Sequence, residues 1–111
     1  MVENTQQEII TLRGKLKMGI SSGTSINGDD FYRAPLEVTE TEKNGQKIGN
    51  EFDSIMLIFW KKNFDNRTQS FIANLKENQT ITVHGQVGGR DNGLLRVIEL
   101  ETSDDETDIF I

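Results

Sequence analysis

The sequence predicts an all-β domain in which five strands close into a small barrel, with one helix between the third and fourth strands. Three observations carry this expectation. Apolar and polar residues alternate with period two over residues 8–18, 31–41 and 80–87, as half-buried strands require. The stretch 51–61 is apolar on both faces, which a one-sided open sheet does not need. The period changes to that of a helix only once, near residue 67. Five strands of this length left open would expose two unpaired edges, and closure removes them.

Taken in order, residues 1–7 are polar and are expected to be a flexible N-terminus. In the first strand Ile10, Leu12, Gly14, Leu16 and Met18 fall on one side, and Thr11, Arg13, Lys15 and Lys17 on the other. Residues 21–30, Ser-Ser-Gly-Thr-Ser-Ile-Asn-Gly-Asp-Asp, have the composition of a loop. The second strand, 31–41, puts Tyr32, Ala34, Leu36 and Val38 in phase, and Pro35 demands an edge or a bulge because it cannot donate to a ladder. Asn44-Gly45 reads as a hairpin tip. In the third strand Ile55, Leu57 and Phe59 share one face, and Phe52, Met56, Ile58 and Trp60 the other.

Asp65 or Asn66 is placed to cap a helix over 67–78, with Phe71, Ile72 and Leu75 as a narrow apolar stripe. Strands over 80–87 and 94–102 close the domain, with Gly88-Gly89-Arg90-Asp91-Asn92-Gly93 turning between them. A domain over 8–102 and an acidic C-terminal tail over 103–111 result. Three strands, a helix that plugs one barrel end and two further strands are the plan of the OB-fold. Its outer face over strands two and three, with the flanking loops, binds oligonucleotides or oligosaccharides. A mixed α+β sheet of another topology uses the same elements and stays open at this point.

Composition narrows the function. At 111 residues the chain is one domain. Twelve Lys and Arg stand against 18 Asp and Glu; without Asp104, Asp105, Glu106 and Asp108 the balance is 12 against 14. The acidity is therefore concentrated in the tail and does not exclude an anionic ligand for the body. With no Cys there is neither a disulfide framework nor a thiolate metal site, and a single His is poor material for zinc. No apolar run reaches the roughly 20 residues of a membrane span, and no signal peptide is indicated; a cytoplasmic protein is expected. His84 has no triad context, no phosphate-cradling Gly motif precedes a helix, and Asp29-Asp30 is a lone carboxylate pair in a loop. Neither an enzyme, nor a cofactor, nor a metal is expected.

Sequence-tolerant binding of a single nucleic-acid strand needs flat π surfaces for bases and cations along the phosphates. Trp60 and Phe52 share the outward parity of strand three, and Lys61 and Lys62 follow the Trp. Arg13, Lys15 and Lys17 form a basic stripe on strand one, while Arg33, Arg90 and Arg96 lie on strand two, the last hairpin and the last strand. Each has a plainer reading. Trp60 suits a core or subunit interface, Phe52 a satellite core position, and the stripe an ordinary solvated face. One of Phe31 and Tyr32 points outward; pattern alone does not say which. His84 reads as a surface or groove residue.

Asp104, Asp105, Glu106 and Asp108 run into Ile109, Phe110 and Ile111. Four like charges without partners resist burial, so the tail suits either a solubilising role or capture by a partner's apolar pocket with a basic rim.

These residues resemble the bacterial and phage single-stranded-DNA-binding proteins. The resemblance rests on Ile55-Met56-Leu57-Ile58-Phe59-Trp60-Lys61, Phe71-Ile72-Ala73-Asn74-Leu75-Lys76, Thr82-Val83-His84-Gly85-Gln86-Val87 and the opening Leu12-Arg13-Gly14-Lys15-Leu16. It departs in lacking the family's Gly- and Gln-rich linker, and in ending Asp-Ile-Phe-Ile where the bacterial pattern has Asp-Pro-Phe. The resemblance implies a homodimer or homotetramer that coats single-stranded DNA in replication, recombination or repair. It also implies a tail that recruits replication or recombination proteins, and the compactness suggests a phage or mobile-element origin, hence a host cytoplasm. An OB-fold protein-interaction or RNA-binding module is the alternative.

Overall fold

The computed structural model describes residues 9–49, 53–89 and 93–102. Among them are β1 (Ile10–Leu16), β2 (Ser21–Thr24), β3 (Asp30–Lys43), β4 (Gln46–Ile48) and β5 (Ser54–Trp60). A 3-10 turn (Lys61–Asn63), α1 (Asn66–Ala73), β6 (Thr80–Gly88) and β7 (Leu94–Thr102) follow. The pairing β1–β6–β7–β5–β3 returns to β1, so the five long strands form a closed ring; only β5 and β7 run parallel. This is the all-β OB-fold barrel with one helix. Because β3 is 14 residues long, its first half pairs with β2 and β5 and its second half with β1 and β4.

Alternation decides what enters the barrel. Ile10, Leu12 and Leu16 of β1, Ala34, Leu36 and Val38 of β3, and Ile55, Leu57 and Phe59 of β5 are buried, as are Ile81, Val83, Leu95 and Val97. Met18, placed on this face by its parity, is instead 61% exposed. β1 stops at Leu16, and the Lys17 amide turns to the Pro35 carbonyl at 2.9 Å. Pro35 lies between the part of β3 paired to β2 and the part paired to β1, so its missing N–H faces a break in the sheet.

The expected loop at 21–30 is more ordered than its composition implied. Its first four residues form β2 against Asp30–Arg33. The Gly-rich sequence hid this pairing, which comes from the partner strand rather than from side-chain alternation. At the other end of β3, Asn44 (φ 55°) and Gly45 (φ 79°) make the expected hairpin tip.

Two bulges bend the barrel. Arg13 pairs with Glu40 but Gly14 with Val38, leaving Thr39 over; His84 pairs with Glu99 but Gly85 with Val97, leaving Ile98 over. A bulge sharpens local twist, and both corners bring backbones too close for a side chain. A Cβ on Gly14 would collide with the Glu37 carbonyl, and one on Gly85 with the Arg96 carbonyl.

Asp65 is the helix cap, its carboxylate accepting from the Thr68 amide at 2.8 Å. The helix ends at Ala73, short of the expected 78. The Asn74 side chain donates to the Ser70 carbonyl at 2.8 Å, and Asn78 takes a positive φ of 71°. Ile72 and Leu75 join the core, whereas Phe71 is 44% exposed, so the apolar stripe is narrower than expected. The turn after the helix is tied to the end of β1 by Asn78 N–H to Leu16 O and Leu16 N–H to Gln79 O. No helix among the described residues is long and apolar enough to cross a membrane.

Candidate nucleic-acid interface

The residues of β3, β5 and β7 that do not enter the core line up in register on the outer face. Phe31 pairs with Trp60; Arg33, Ile58 and Arg96 form the next row; Pro35, Met56 and Leu94 form the third. An apolar floor is therefore flanked by two exposed arginines, with an aromatic pair at one end. The Phe31 and Trp60 rings meet edge to face, centroids 5.3 Å apart and planes at 74°. Phe31 is thus the outward aromatic, and Tyr32 packs toward the core. Trp60 is half-buried on the outer face and is not a core residue.

Directly after Trp60 the chain makes its 3-10 turn, which carries both lysines to the rim. Lys61 Nζ sits 4.4 Å from the Tyr32 ring centroid, and Lys62 Nζ lies 3.2 Å from Asp29 Oδ2. Two clefts share Trp60 and Arg96 as their common wall. One, about 240 Å³, is mostly apolar and includes Ile58, Val87 and Leu94. The other, about 300 Å³, is polar and includes Ser25, Asn27, Asp29, Lys62 and Asn63. Arg96 is steadied at this wall by donating from Nη1 to Gln86 Oε1 at 2.8 Å.

Arg13 and Lys15 do not join this face. They lie on β1, separated from β5 around the ring by β3, and carboxylates stand opposite: Glu40 is the register partner of Arg13 and Glu37 of Lys15. Arg13 also donates to Thr82 Oγ1 at 3.0 Å. Lys17 follows the end of β1 and is exposed. Phe52, Arg90 and the tail residues Asp104, Asp105, Glu106, Asp108, Ile109, Phe110 and Ile111 lie outside the described residues.

His84 does more than its surface parity suggested. Its Nδ1 is 2.8 Å from Thr11 Oγ1 and its Nε2 2.8 Å from Glu101 Oε2, so it ties β1, β6 and β7 together. The order hydroxyl, imidazole, carboxylate is that of a triad, yet β1 and β6 each have ladder partners on both sides. The strand backbones around Thr11 and His84 are thus taken up in these ladders.

Neither Phe31, left as one of two candidates for the outward aromatic, nor Ile58, Asp29 or Asn27 was assigned to the site by the sequence. Cross-strand register reveals the first two, and the fold of the β2–β3 turn the others. Pairing of β3 with β5 and of β5 with β7 is what puts Arg33 and Arg96 in one row.

This barrel, with its helix and its parallel β5–β7 closure, matches solved structures over nearly its whole length. The fold is that of the single-stranded-DNA-binding proteins. The small single-stranded-DNA-binding protein of Streptomyces coelicolor superposes with a TM-score of 0.64 at 11% identity, covering 92% of this chain and 97% of that one. For the second single-stranded-DNA-binding protein of Mycobacterium smegmatis the values are 0.62 and 11%, over 96% and 97%. The dimeric N-terminal domain of PriB from Thermoanaerobacter tencongensis gives 0.57 and 16%, over 86% and 96%. No protein-family model matches the sequence, and no curated protein matches it. At such identities the likeness lies in the fold.

Proposed function

We propose that this protein binds single-stranded DNA, largely independently of sequence, on the outer face of β3, β5 and β7. The observation that carries the reading is the register row Arg33–Ile58–Arg96 beside the Phe31–Trp60 pair. Bases stack on the indole and rest on the apolar floor, while the two guanidinium groups and Lys61 follow the phosphates. A duplex offers no exposed π faces and binds far more weakly. The fold shared with proteins named for single-stranded-DNA binding supports this reading. Its finer parts are a role in replication, recombination or repair of phage or mobile-element DNA, assembly as a homodimer or homotetramer, and recruitment of partner proteins by the acidic tail. The dimeric PriB domain of the same fold supports assembly.

Titrating the single Trp with a mixed-sequence oligonucleotide tests the reading, because that residue lies at the proposed stacking position. Emission is expected to be quenched, and Trp60→Ala to cost roughly 1–3 kcal/mol of binding while the domain stays folded. Neutralising Arg33 and Arg96 should flatten the salt dependence by about 0.7 log units for each phosphate left without its cation. Neutralising Arg13, Lys15 and Lys17 should flatten it less, since Glu40 and Glu37 already oppose two of them. Unchanged emission at saturating oligonucleotide, or a duplex that competes equally, refutes the stacking mechanism.

A further inference from the structure

We propose that the cleft formed by Met18, Pro35 and Met56 is a second base subsite, so that one bound strand runs along β3 and β5 from Trp60, past Arg33, to Met18. The subsite rests on the single-strand-binding reading and extends it by naming where the strand goes beyond the indole.

The cleft is a consequence of where β1 ends. Parity assigns Met18 to the barrel interior, but β1 stops at Leu16. The segment that leads on to β2 is then pinned at both ends, by the Lys17 amide donating to the Pro35 carbonyl at 2.9 Å and by the pairing of Ser21 with Arg33. Met18 is left 61% exposed, and with Pro35, Met56 and Arg33 it lines a cleft of about 370 Å³.

This cleft continues the outer face. Pro35 and Met56 are register partners, as are Phe31 and Trp60 four residues away on each strand. At a strand rise of about 3.3 Å per residue the two rows lie roughly 13 Å apart. A base stacked on Trp60 does not span that distance, so a different base of the same strand fills the cleft. Arg33 stands in the row between, where its guanidinium can meet the phosphates that link the two bases. Among the described residues it is also the one charged side chain on the cleft lining. An apolar cleft with a cation at its edge matches a base with its phosphate.

The lining suits a base of any kind. Two of the chain's three methionines stand in it. A thioether side chain is unbranched and polarisable, adapts to the shape of its neighbour and makes favourable contacts with aromatic rings. Its sulfur is only a weak acceptor and reads no base edge strongly. The occupant is therefore held by its face, in the same sequence-tolerant way as the base on Trp60.

The test is fluorescence titration of the full chain with oligo-dT of increasing length, over about 4–16 nucleotides. On oligonucleotides long enough to pass Arg33, Met18→Ser is expected to bind about fivefold more weakly than the parent, the size of one sulfur–aromatic contact. Met18→Leu, which keeps the apolar volume, is expected to stay within about twofold. On the shortest oligonucleotides, held at Trp60 alone, the parent and Met18→Ser are expected to agree, with circular dichroism unchanged. Equal affinity of Met18→Ser and the parent at every length overturns the subsite; a lower sedimenting mass alongside it would assign the cleft to a contact between copies of this chain. A loss of the same size at every length also overturns it, because Met18 would then act on the Trp60 site or on the fold. Failure of the parent to bind oligo-dT of any length overturns the proposed function, and the subsite with it.

Discussion

Gly14→Ala puts the barrel closure itself on trial. At this β1–β3 corner a Cβ would overlap the Glu37 carbonyl oxygen and lie 2.9 Å from the Glu37 carbonyl carbon and 3.1 Å from Val38 Cα. All three atoms are backbone, so no side-chain rotamer relieves the clash, and β1 must move away from β3. That displacement endangers the ladder where Gly14 meets Val38 and Lys15 meets Glu37, and the Thr39 hydroxyl bond to the Arg13 carbonyl at 3.0 Å. Overpacking costs about 1–3 kcal/mol, and two weakened hydrogen bonds add roughly 1 kcal/mol each. The sum, about 3–5 kcal/mol, is a large share of the roughly 5–15 kcal/mol of a typical domain. Urea unfolding followed by Trp60 emission and by circular dichroism should show a midpoint about 2 M lower. Gly19→Ala is the matched control: a Cβ there meets nothing within 4 Å, so its stability should stay within about 0.5 kcal/mol of the parent. A Gly14→Ala protein as stable as Gly19→Ala would refute the close approach, and with it the β1–β3 register that completes the ring.

Two further outcomes follow from single side chains. Thr41 is 1% exposed, and its hydroxyl has no hydrogen-bond partner among the described residues; Thr41→Val should therefore stabilise the domain by about 1 kcal/mol or more, raising Tm by roughly 4 °C, and a lower Tm would reveal a partner for the hydroxyl. Asp65 is held below its ordinary pKa of 3.8 chiefly by the Thr68 backbone N–H, then by the Thr68 side chain, with Arg67 adding a smaller attraction. A depressed folded pKa means the stabilisation is present above 3.8 and is lost as pH falls through the lower folded value. Asp65→Ala should melt below the parent at neutral pH, and the two Tm values should draw together as the pH falls well below 3.8; a gap that persists in acid would mean the cap acts through something other than the carboxylate charge.

Period-two alternation is a local property, and within β5 it was enough to sort inside from outside. Ile55, Leu57 and Phe59 enter the core while Met56, Ile58 and Trp60 remain on the outer face, as their parity in the sequence requires. Turn chemistry was equally legible at Asn44-Gly45 and at the Asp65 cap, because each depends on residues a few positions apart. What alternation cannot carry is which outward residue lies beside which. Arg33 and Arg96 share a row only because β5 pairs with β3 on one side and with β7 on the other. Arg13 and Lys15 look like a free basic stripe until β3 brings Glu40 and Glu37 opposite them. Asp29 meets Lys62 only through the fold of the β2–β3 turn. Burial is decided residue by residue from hydrophobicity and strand parity. Neighbourhood on the surface is decided by register and closure, which are set by bulges, close glycine approaches and ladder pairing between distant segments.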